Sequence, residues 1–227
     1  MEELQEWTEE NPGRFTYPAP PDFTGNAFIE QALYDLAGGP ETYQKPFDEE
    51  VFAENSPEVY EFLEEIEPNL WREGETYPES SAKLDGLYGD GEIYLSMSYN
   101  PQLAQRQVAS GLWPESTRTY LLEGGTLGNT HYVAVPFNSP NKAGAQVVAN
   151  FLESPEAQIA KQDPDGWGDL TALDVDQLPD DARDALTETG GEAALPADEL
   201  QENRVPEARS EWLLQLEDGW REKVLKE

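Results

Sequence analysis

The stretch LLEGGTLGNTHYVAVPFNSPNKAGAQVVANFLESPEAQ, residues 121–158, decides how we expect this chain to fold. It opens with a glycine-rich turn at 125–130. A run of β-branched and aromatic residues at 131–137 then predicts a strand. After a break at 138–140, apolar residues recur at three- and four-residue spacing, which predicts an amphipathic helix with one buried face. A loop with free backbone donors thus leads directly into packed α/β structure.

Three blocks of the sequence resemble one family, in the same order along the chain. They are GRFTYPAPPDFTGNAFI (13–29), the stretch just quoted and DPDGWGDLTALD (163–174). Together they resemble the periplasmic substrate-binding proteins of ABC importers, in particular the YnjB-type subgroup. The resemblance implies an α/β fold of the type II periplasmic-binding-protein kind. One lobe would span about 13–118, and 119–227 would hold the crossover and the C-terminal portion of the other lobe, most of whose N-terminal part is lacking.

The composition is strongly acidic. Aspartate and glutamate number 47 against 14 lysines and arginines, so the formal charge is -33 and the sequence pI is about 4.1. Because phosphate neutralisation needs a basic face, nucleic acid is excluded as a partner. Acids are scattered, as in Glu61, Glu64, Glu65 and Glu67, and indicate a salt-adapted surface, since about 1 M salt shortens the Debye length to about 3 Å. Acid clusters that hold a cation remain the alternative, although no single cation site stands out.

Several other classes of protein leave no signal in this sequence. The chain has no cysteine, and no run of about 18 apolar residues that would span a membrane. Its first residues, MEELQEWTEENPG, are acidic rather than basic and then apolar, so we expect no signal peptide in this chain. The turn GGTLGN lacks the lysine of a phosphate-binding loop. We therefore predict neither a cofactor nor a metal site.

Catalytic groups are equally sparse. His131 is the only histidine, and in an aromatic, valine-rich run it is better explained as a packed or hinge residue than as a ligand contact. Carboxylate pairs arise by chance in a chain of this composition and carry little information. The sequence therefore favours reversible binding over catalysis. An acidic-residue hydrolase or transferase domain stays open as an alternative, and so does a truncated fragment without binding function.

Local patterns predict further elements. We expect strands at 14–17 and 91–98 and an extended segment at 117–122. A helix should open at Thr24-Gly25-Asn26, with Thr24 as its N-cap. The remaining predicted helices are an N-terminal one that ends at 11–13, then 47–52, 56–66 with Ser56 as N-cap, 80–89, 102–110, 178–186 and 206–225.

The predicted ligand contacts lie where strands end or helices begin. Backbone donors are free at such positions, and open α/β sheets place ligands there. Aromatic walls, amides and hydroxyls would orient a small molecule of either charge. The predicted ligand-binding residues are Thr24, Gly25, Asn26, Tyr99, Asn100, Thr126 and Asn129.

The resemblance implies a function outside the membrane. A periplasmic or extracellular protein would capture a small-molecule solute in a cleft between its lobes and deliver it to ABC permease subunits, touching the membrane only through the permease. It would not be an enzyme. Relatives in this family bind ferric iron, polyamines, thiamine or anions, and the motifs here do not choose among them. Iron ranks low because the adjacent tyrosines of the iron-binding type are missing.

Overall fold

Helices dominate the structure, a computed structural model that describes residues 1–187 and 191–226. Two short strands, β1 (Thr126–Leu127) and β2 (Arg204–Val205), pair in parallel with Thr126 opposite Arg204. The described α-helices are α1 (Glu2–Glu10), α2 (Phe23–Leu36), α3 (Pro40–Tyr43), α4 (Glu49–Ile66), α5 (Ser81–Gly89), α6 (Leu103–Ala109), α7 (Lys142–Leu152), α8 (Pro155–Gln162), α9 (Asp180–Thr187), α10 (Ala197–Glu202) and α11 (Ser210–Lys223).

The chain forms two units, and each draws on separated segments. Unit 1 consists of Met1–Tyr99, Leu122–Gly128 and Arg204–Glu227, whereas unit 2 consists of Asn100–Leu121 and Asn129–Asn203. The units are thus interleaved along the sequence. The division into lobes at about 13–118 and 119–227 stays a prediction.

The core of unit 1 lies between α2, α4 and α11. Trp212, Leu216 and Trp220 recur along α11 and are all buried, so the apolar face of this helix is covered within unit 1. The Trp220 indole N–H donates to the hydroxyl of Tyr17 at 3.0 Å. Burial raises the pKa of Tyr17 well above its ordinary value. Truncating either tryptophan to alanine should destabilise unit 1 by roughly 3–5 kcal/mol.

Two buried glutamines of α8 bond to backbone groups elsewhere in unit 2. Gln158 accepts a hydrogen bond from the backbone N–H of Ala172 at 2.9 Å. Gln162 accepts from the backbone N–H of Thr171 at 3.0 Å and donates to the carbonyl oxygen of Leu186 at 2.6 Å. Gln158, the last residue of the SPEAQ motif, therefore anchors the loop at 171–172, and Gln162 joins the same loop to α9. Both side chains satisfy backbone groups that are removed from water.

Most predicted helices are confirmed, but two details were wrong. Residues 47–52 and 56–66 do not form separate helices, because α4 runs through Pro57 and buries Ser56 in its interior. Thr24 is not the N-cap of α2. Asp22 has that position, and its side chain accepts from the backbone N–H groups of Thr24 and Gly25.

The strand predictions were wrong within the described residues. Segments 14–17, 91–98 and 131–137 are not strands. Tyr94 donates one backbone hydrogen bond to the carbonyl oxygen of Arg14 at 2.8 Å, which links the first two segments without forming a ladder. Ile93 is buried and Tyr94 exposed, as alternation predicts, but Leu95, Ser96 and Met97 are all half-buried. A strand also needs a continuous neighbour.

The stretch that opened the sequence analysis is also less buried than its pattern predicts. Tyr132 and Phe137 are exposed, and α7, which forms as expected, has no buried residue. The inward face predicted for α7 is therefore wrong in this structure.

Among the described residues, no helix is both long enough and apolar enough to cross a membrane.

Candidate functional site

The beginning of α2 is closed by Asp22. Its Oδ1 accepts from the backbone N–H of Thr24 at 2.9 Å and of Gly25 at 3.2 Å, and the carbonyl oxygen of Asp22 accepts from the N–H of Asn26 at 2.9 Å. Its Oδ2 accepts from the N–H of Ser81, where α5 begins, at 3.3 Å. One carboxylate therefore serves two helix N-termini, and the donors that we expected to be free are already bonded.

The side chains at the start of α2 are largely enclosed. Thr24 and Asn26 are buried, and an added Cβ on Gly25 would lie 2.1 Å from the carbonyl oxygen of Pro18. The Asn26 amide donates to Glu217 Oε2 at 3.3 Å, whereas its buried Oδ1 has no hydrogen-bond partner. Asn26 thus keeps an unused hydrogen-bond acceptor in this structure.

Tyr99 lies against the first residue of α2. Its ring centroid is 4.6 Å from that of Phe23, and its hydroxyl donates to Glu207 Oε1 at 3.1 Å. Burial raises the pKa of Tyr99, and the negative charges of Glu207 and Glu30 raise it further. The ring remains partly accessible and Phe23 is 54% exposed. Tyr99 therefore forms an aromatic wall with a carboxylate at its edge.

Glu30, a residue of α2, is buried in unit 1, and the sequence analysis did not identify it as a candidate site residue. It is only 2% exposed, and its Oε1 is 3.0 Å from the Tyr34 hydroxyl and also accepts from the backbone N–H of Ala208. Burial raises the pKa of Glu30 to about 7, with a further rise from the charge of Glu207, against the lowering effect of those hydrogen bonds. The signal that could have identified it is an acid flanked by Phe28, Ile29, Ala32 and Leu33, the apolar residues of the predicted helix.

The glycine turn at 125–130 is bonded to α2 through Gln31. Gln31 donates to the carbonyl oxygen of Gly125 at 3.1 Å and accepts from the N–H of Leu127 at 3.0 Å. Thr126 Oγ1 accepts from the N–H of Leu122 at 3.1 Å. Gly125 has a φ of +91°, a conformation that favours glycine. Gln31, also missed in the sequence, thus fixes the turn that carries Thr126.

The remaining two predicted contacts belong to unit 2. Asn100 donates to the carbonyl oxygen of Trp167 at 2.9 Å and accepts from the N–H of Gln102 at 3.0 Å. Asn129 belongs to the same unit. The structure therefore groups Thr24, Gly25, Asn26, Tyr99 and Thr126 in unit 1 and two asparagines in unit 2.

His131 belongs to a polar group in unit 2. Its Nε2 is 3.7 Å from Asp169 Oδ2, and Lys161 Nζ is 3.0 Å from the same oxygen. The imidazole centroid is 5.0 Å from a ring centroid of Trp167. His131 therefore contacts an aromatic ring, but its imidazole stays half exposed. Its role as a packed or hinge residue stays a prediction.

No described group of three or more histidine, cysteine, aspartate or glutamate side chains could hold a metal ion. One surface pocket of about 240 Å³ lies in unit 1, where Trp71, Tyr77, Glu79 and Lys83 contribute to its lining. It is smaller than a typical small-molecule site of about 300–1,000 Å³, and it contains none of the predicted contacts. The ligand site at the start of α2 stays a prediction from the sequence.

The fold and this combination of an aromatic wall with polar side chains suit a protein that binds a small molecule reversibly. A family model for bacterial extracellular solute-binding proteins matches residues 1–186. The chain belongs to that family, which confirms the resemblance found in the sequence.

The chain is also similar to Protein YnjB of Escherichia coli strain K12. The two are 41% identical over 217 residues, which cover 96% of this chain and 54% of that protein. The chain thus spans about half the length of this curated relative. No solved structure matches the chain.

Proposed function

We propose that this chain is the solute-binding component of an ABC importer. It captures a small molecule outside the membrane, in the periplasm or the extracellular space, and delivers it to permease subunits. The family match over residues 1–186 and the similarity to YnjB support this proposal. The proposal includes an α/β fold of the type II periplasmic-binding-protein kind and a protein without enzymatic activity.

The observation that carries the proposal is the arrangement around Tyr99. Its ring packs on Phe23 at the start of α2, and its hydroxyl is held by Glu207. An aromatic surface beside a fixed polar group orients a small molecule without reacting with it. The proposed ligand contacts are Thr24, Gly25, Asn26, Tyr99, Asn100, Thr126 and Asn129.

The charges in unit 1 favour a solute with hydrogen-bond donors or positive charge over an anion. A helix N-terminus attracts anions when its N–H groups are free, but Asp22 already accepts from those of Thr24 and Gly25. Glu207 adds a second carboxylate at the edge of the Tyr99 ring. An incoming anion would therefore meet negative charge, and the backbone N–H groups of Thr24 and Gly25 would already be bonded to Asp22.

A hydrolase that uses Glu30 and Glu207 is the rival from another class, because Glu30 has a raised pKa that suits a general acid. Burial argues against it. Glu30 is 2% exposed and bonded to Tyr34 and Ala208, so a substrate has no access to its carboxyl group. Its geometry fits a structural acid that shapes the surroundings of Tyr99.

Native mass spectrometry of the chain, purified without denaturation, tests the proposal by detecting a retained small molecule. Once the ligand is identified, Tyr99→Ala and Asn100→Ala should each weaken its binding by about 1–3 kcal/mol in calorimetry, through lost stacking or an unmade polar contact. Tyr94→Ala is the matched control, since Tyr94 is an exposed tyrosine of unit 1 outside the proposed site.

Equal affinity in both site variants would remove the assignment of the site while leaving the transport role intact. If neither copurification nor screening of amines, sugars and inorganic anions yields a ligand, the alternative of a fragment without binding function gains support.

A further inference from the structure

The segment that follows α4 holds Trp71 in place in unit 1. Arg72 and Glu73 have positive φ values of +54° and +58°, although neither is a glycine. This conformation is costly for a residue with a Cβ, and such residues are concentrated at functional sites. The Arg72 guanidinium lies 4.1 Å from the centroid of the Trp71 ring, and the indole N–H of Trp71 donates to Glu92 Oε2 at 2.8 Å. The indole is therefore held both at its face and at its edge.

Trp71, Tyr77 and Leu87 line the surface pocket of about 240 Å³. Tyr77 is held as well, because its ring centroid lies 5.1 Å from that of Tyr17 and 5.3 Å from that of Trp220 in the core of unit 1. The apolar wall of the pocket is thus in place before a ligand arrives. The volume of the pocket is that of about eight water molecules at about 30 Å³ each, which suits a molecule of the size of valine or leucine.

Two opposite charges line the same pocket. Glu79 and Lys83 lie four positions apart around the beginning of α5, and both side chains are exposed. Within the part of the chain that the structure describes, neither side chain forms an ion pair, with the other or with a third group. The pocket therefore offers a cation and an anion beside an apolar wall.

We propose that this pocket binds a free amino acid with an apolar side chain, such as leucine. Lys83 pairs with the carboxylate of the ligand, Glu79 pairs with its ammonium group, and the apolar wall covers its side chain. A further stretch of polypeptide carries neither charge on its backbone, and a simple amine or acid would leave one of the two side chains unpaired. The pocket contains none of the contacts proposed for the transported solute, so it is a second site.

Titration of the complete, isotope-labelled chain with L-leucine, followed by NMR, tests the proposal under conditions in which circular dichroism shows a folded protein. Among the indole N–H signals of the six tryptophans, the one that disappears in Trp71→Phe reports on this pocket. We expect that signal to shift with a dissociation constant on the order of 0.1–1 mM. Isoamylamine and isocaproate each keep one charge of leucine, and both should bind at least about 10-fold more weakly, because one charge-assisted hydrogen bond is missing.

Variants of the two charged side chains test the same contacts from the side of the protein. Glu79→Gln and Lys83→Met should each weaken leucine binding at least about 10-fold. Glu75→Gln and Lys45→Met are the matched controls, since each removes an exposed charge of unit 1 outside the pocket, and both should leave the affinity unchanged. Tyr99→Ala should leave it unchanged as well, because Tyr99 belongs to the site proposed for the transported solute.

The proposal is overturned if the Trp71 signal does not shift in up to about 20 mM leucine. Equal affinity for leucine and for both single-charge analogues would also overturn it, and so would an affinity that is unchanged in Glu79→Gln and Lys83→Met. These three outcomes leave the proposed transport role standing. Loss of leucine binding in a folded Tyr99→Ala variant would instead place leucine at the site of the transported solute and overturn the assignment of this pocket.

Discussion

Glu30 makes the stability of unit 1 depend on pH in an unusual direction for a carboxylate. Its pKa rises from an ordinary value of 4.5 to about 7 on folding, chiefly through burial. The folded state therefore holds the proton more tightly than the unfolded state between these values. The contribution of protonated Glu30 to the stability of the folded state is complete below pH 4.5, and it is lost as the pH rises through about 7.

The size of the effect follows from the shift. One pKa unit corresponds to about 1.4 kcal/mol, so Glu30 should lower the free energy of unfolding by roughly 2–3 kcal/mol between about pH 5 and pH 8. Glu30→Gln is an uncharged replacement of similar shape. The variant should match the wild type near pH 5 and be more stable by roughly 2 kcal/mol near pH 8.

Urea titrations followed by tryptophan fluorescence measure this difference, because four of the six tryptophans, Trp7, Trp71, Trp212 and Trp220, lie in unit 1. About 2 M NaCl screens the other carboxylates. Glu64→Gln on the exposed side of α4 is the matched control and should leave the pH profile of the wild type unchanged. Parallel profiles for wild type and Glu30→Gln from pH 5 to 8 would refute the reasoning.

Two further predictions concern the chain as a whole and the start of α2. The melting temperature should rise steeply from about 0.1 M to above 1 M salt, because screening reduces self-repulsion at a formal charge of -33; a flat or falling series in calorimetry would contradict a salt-adapted surface. Gly25→Ala should destabilise by about 1–3 kcal/mol, since its Cβ would meet the carbonyl oxygen of Pro18. Gly86→Ala, where no atom lies within 4 Å of the added carbon, should instead stabilise by about 0.5–1 kcal/mol, and chemical denaturation of both variants checks the contrast.

Helices could be predicted from the sequence because their signals are local. The spacing of apolar residues identified α11 and the second half of α4, and Ser80 caps α5 as an N-cap serine should. The same local rules assigned the wrong N-cap to α2. Thr24 and Asp22 are both good capping residues, and which one closes α2 depends on the path of the preceding chain.

Strands and the candidate site depend on partners that lie far away in sequence. Tyr99 was predicted as an aromatic contact, but its partners Phe23 and Glu207 could not be inferred from spacing. Glu30 bonds to Ala208, 178 positions further on. A single sequence specifies which faces are apolar, whereas it leaves open which distant segment covers them.

The separated segments of unit 1 have a consequence for how the chain folds. The hydroxyl of Tyr17 accepts a hydrogen bond from the indole N–H of Trp220, which lies 203 positions later in the sequence. During synthesis from the N-terminus, α2 and α4 therefore emerge long before α11 can cover them. Such long-range closure is slow and leaves apolar helix faces open to chaperones in the meantime. A chain shortened before α11 would leave the apolar faces of α2 and α4 uncovered.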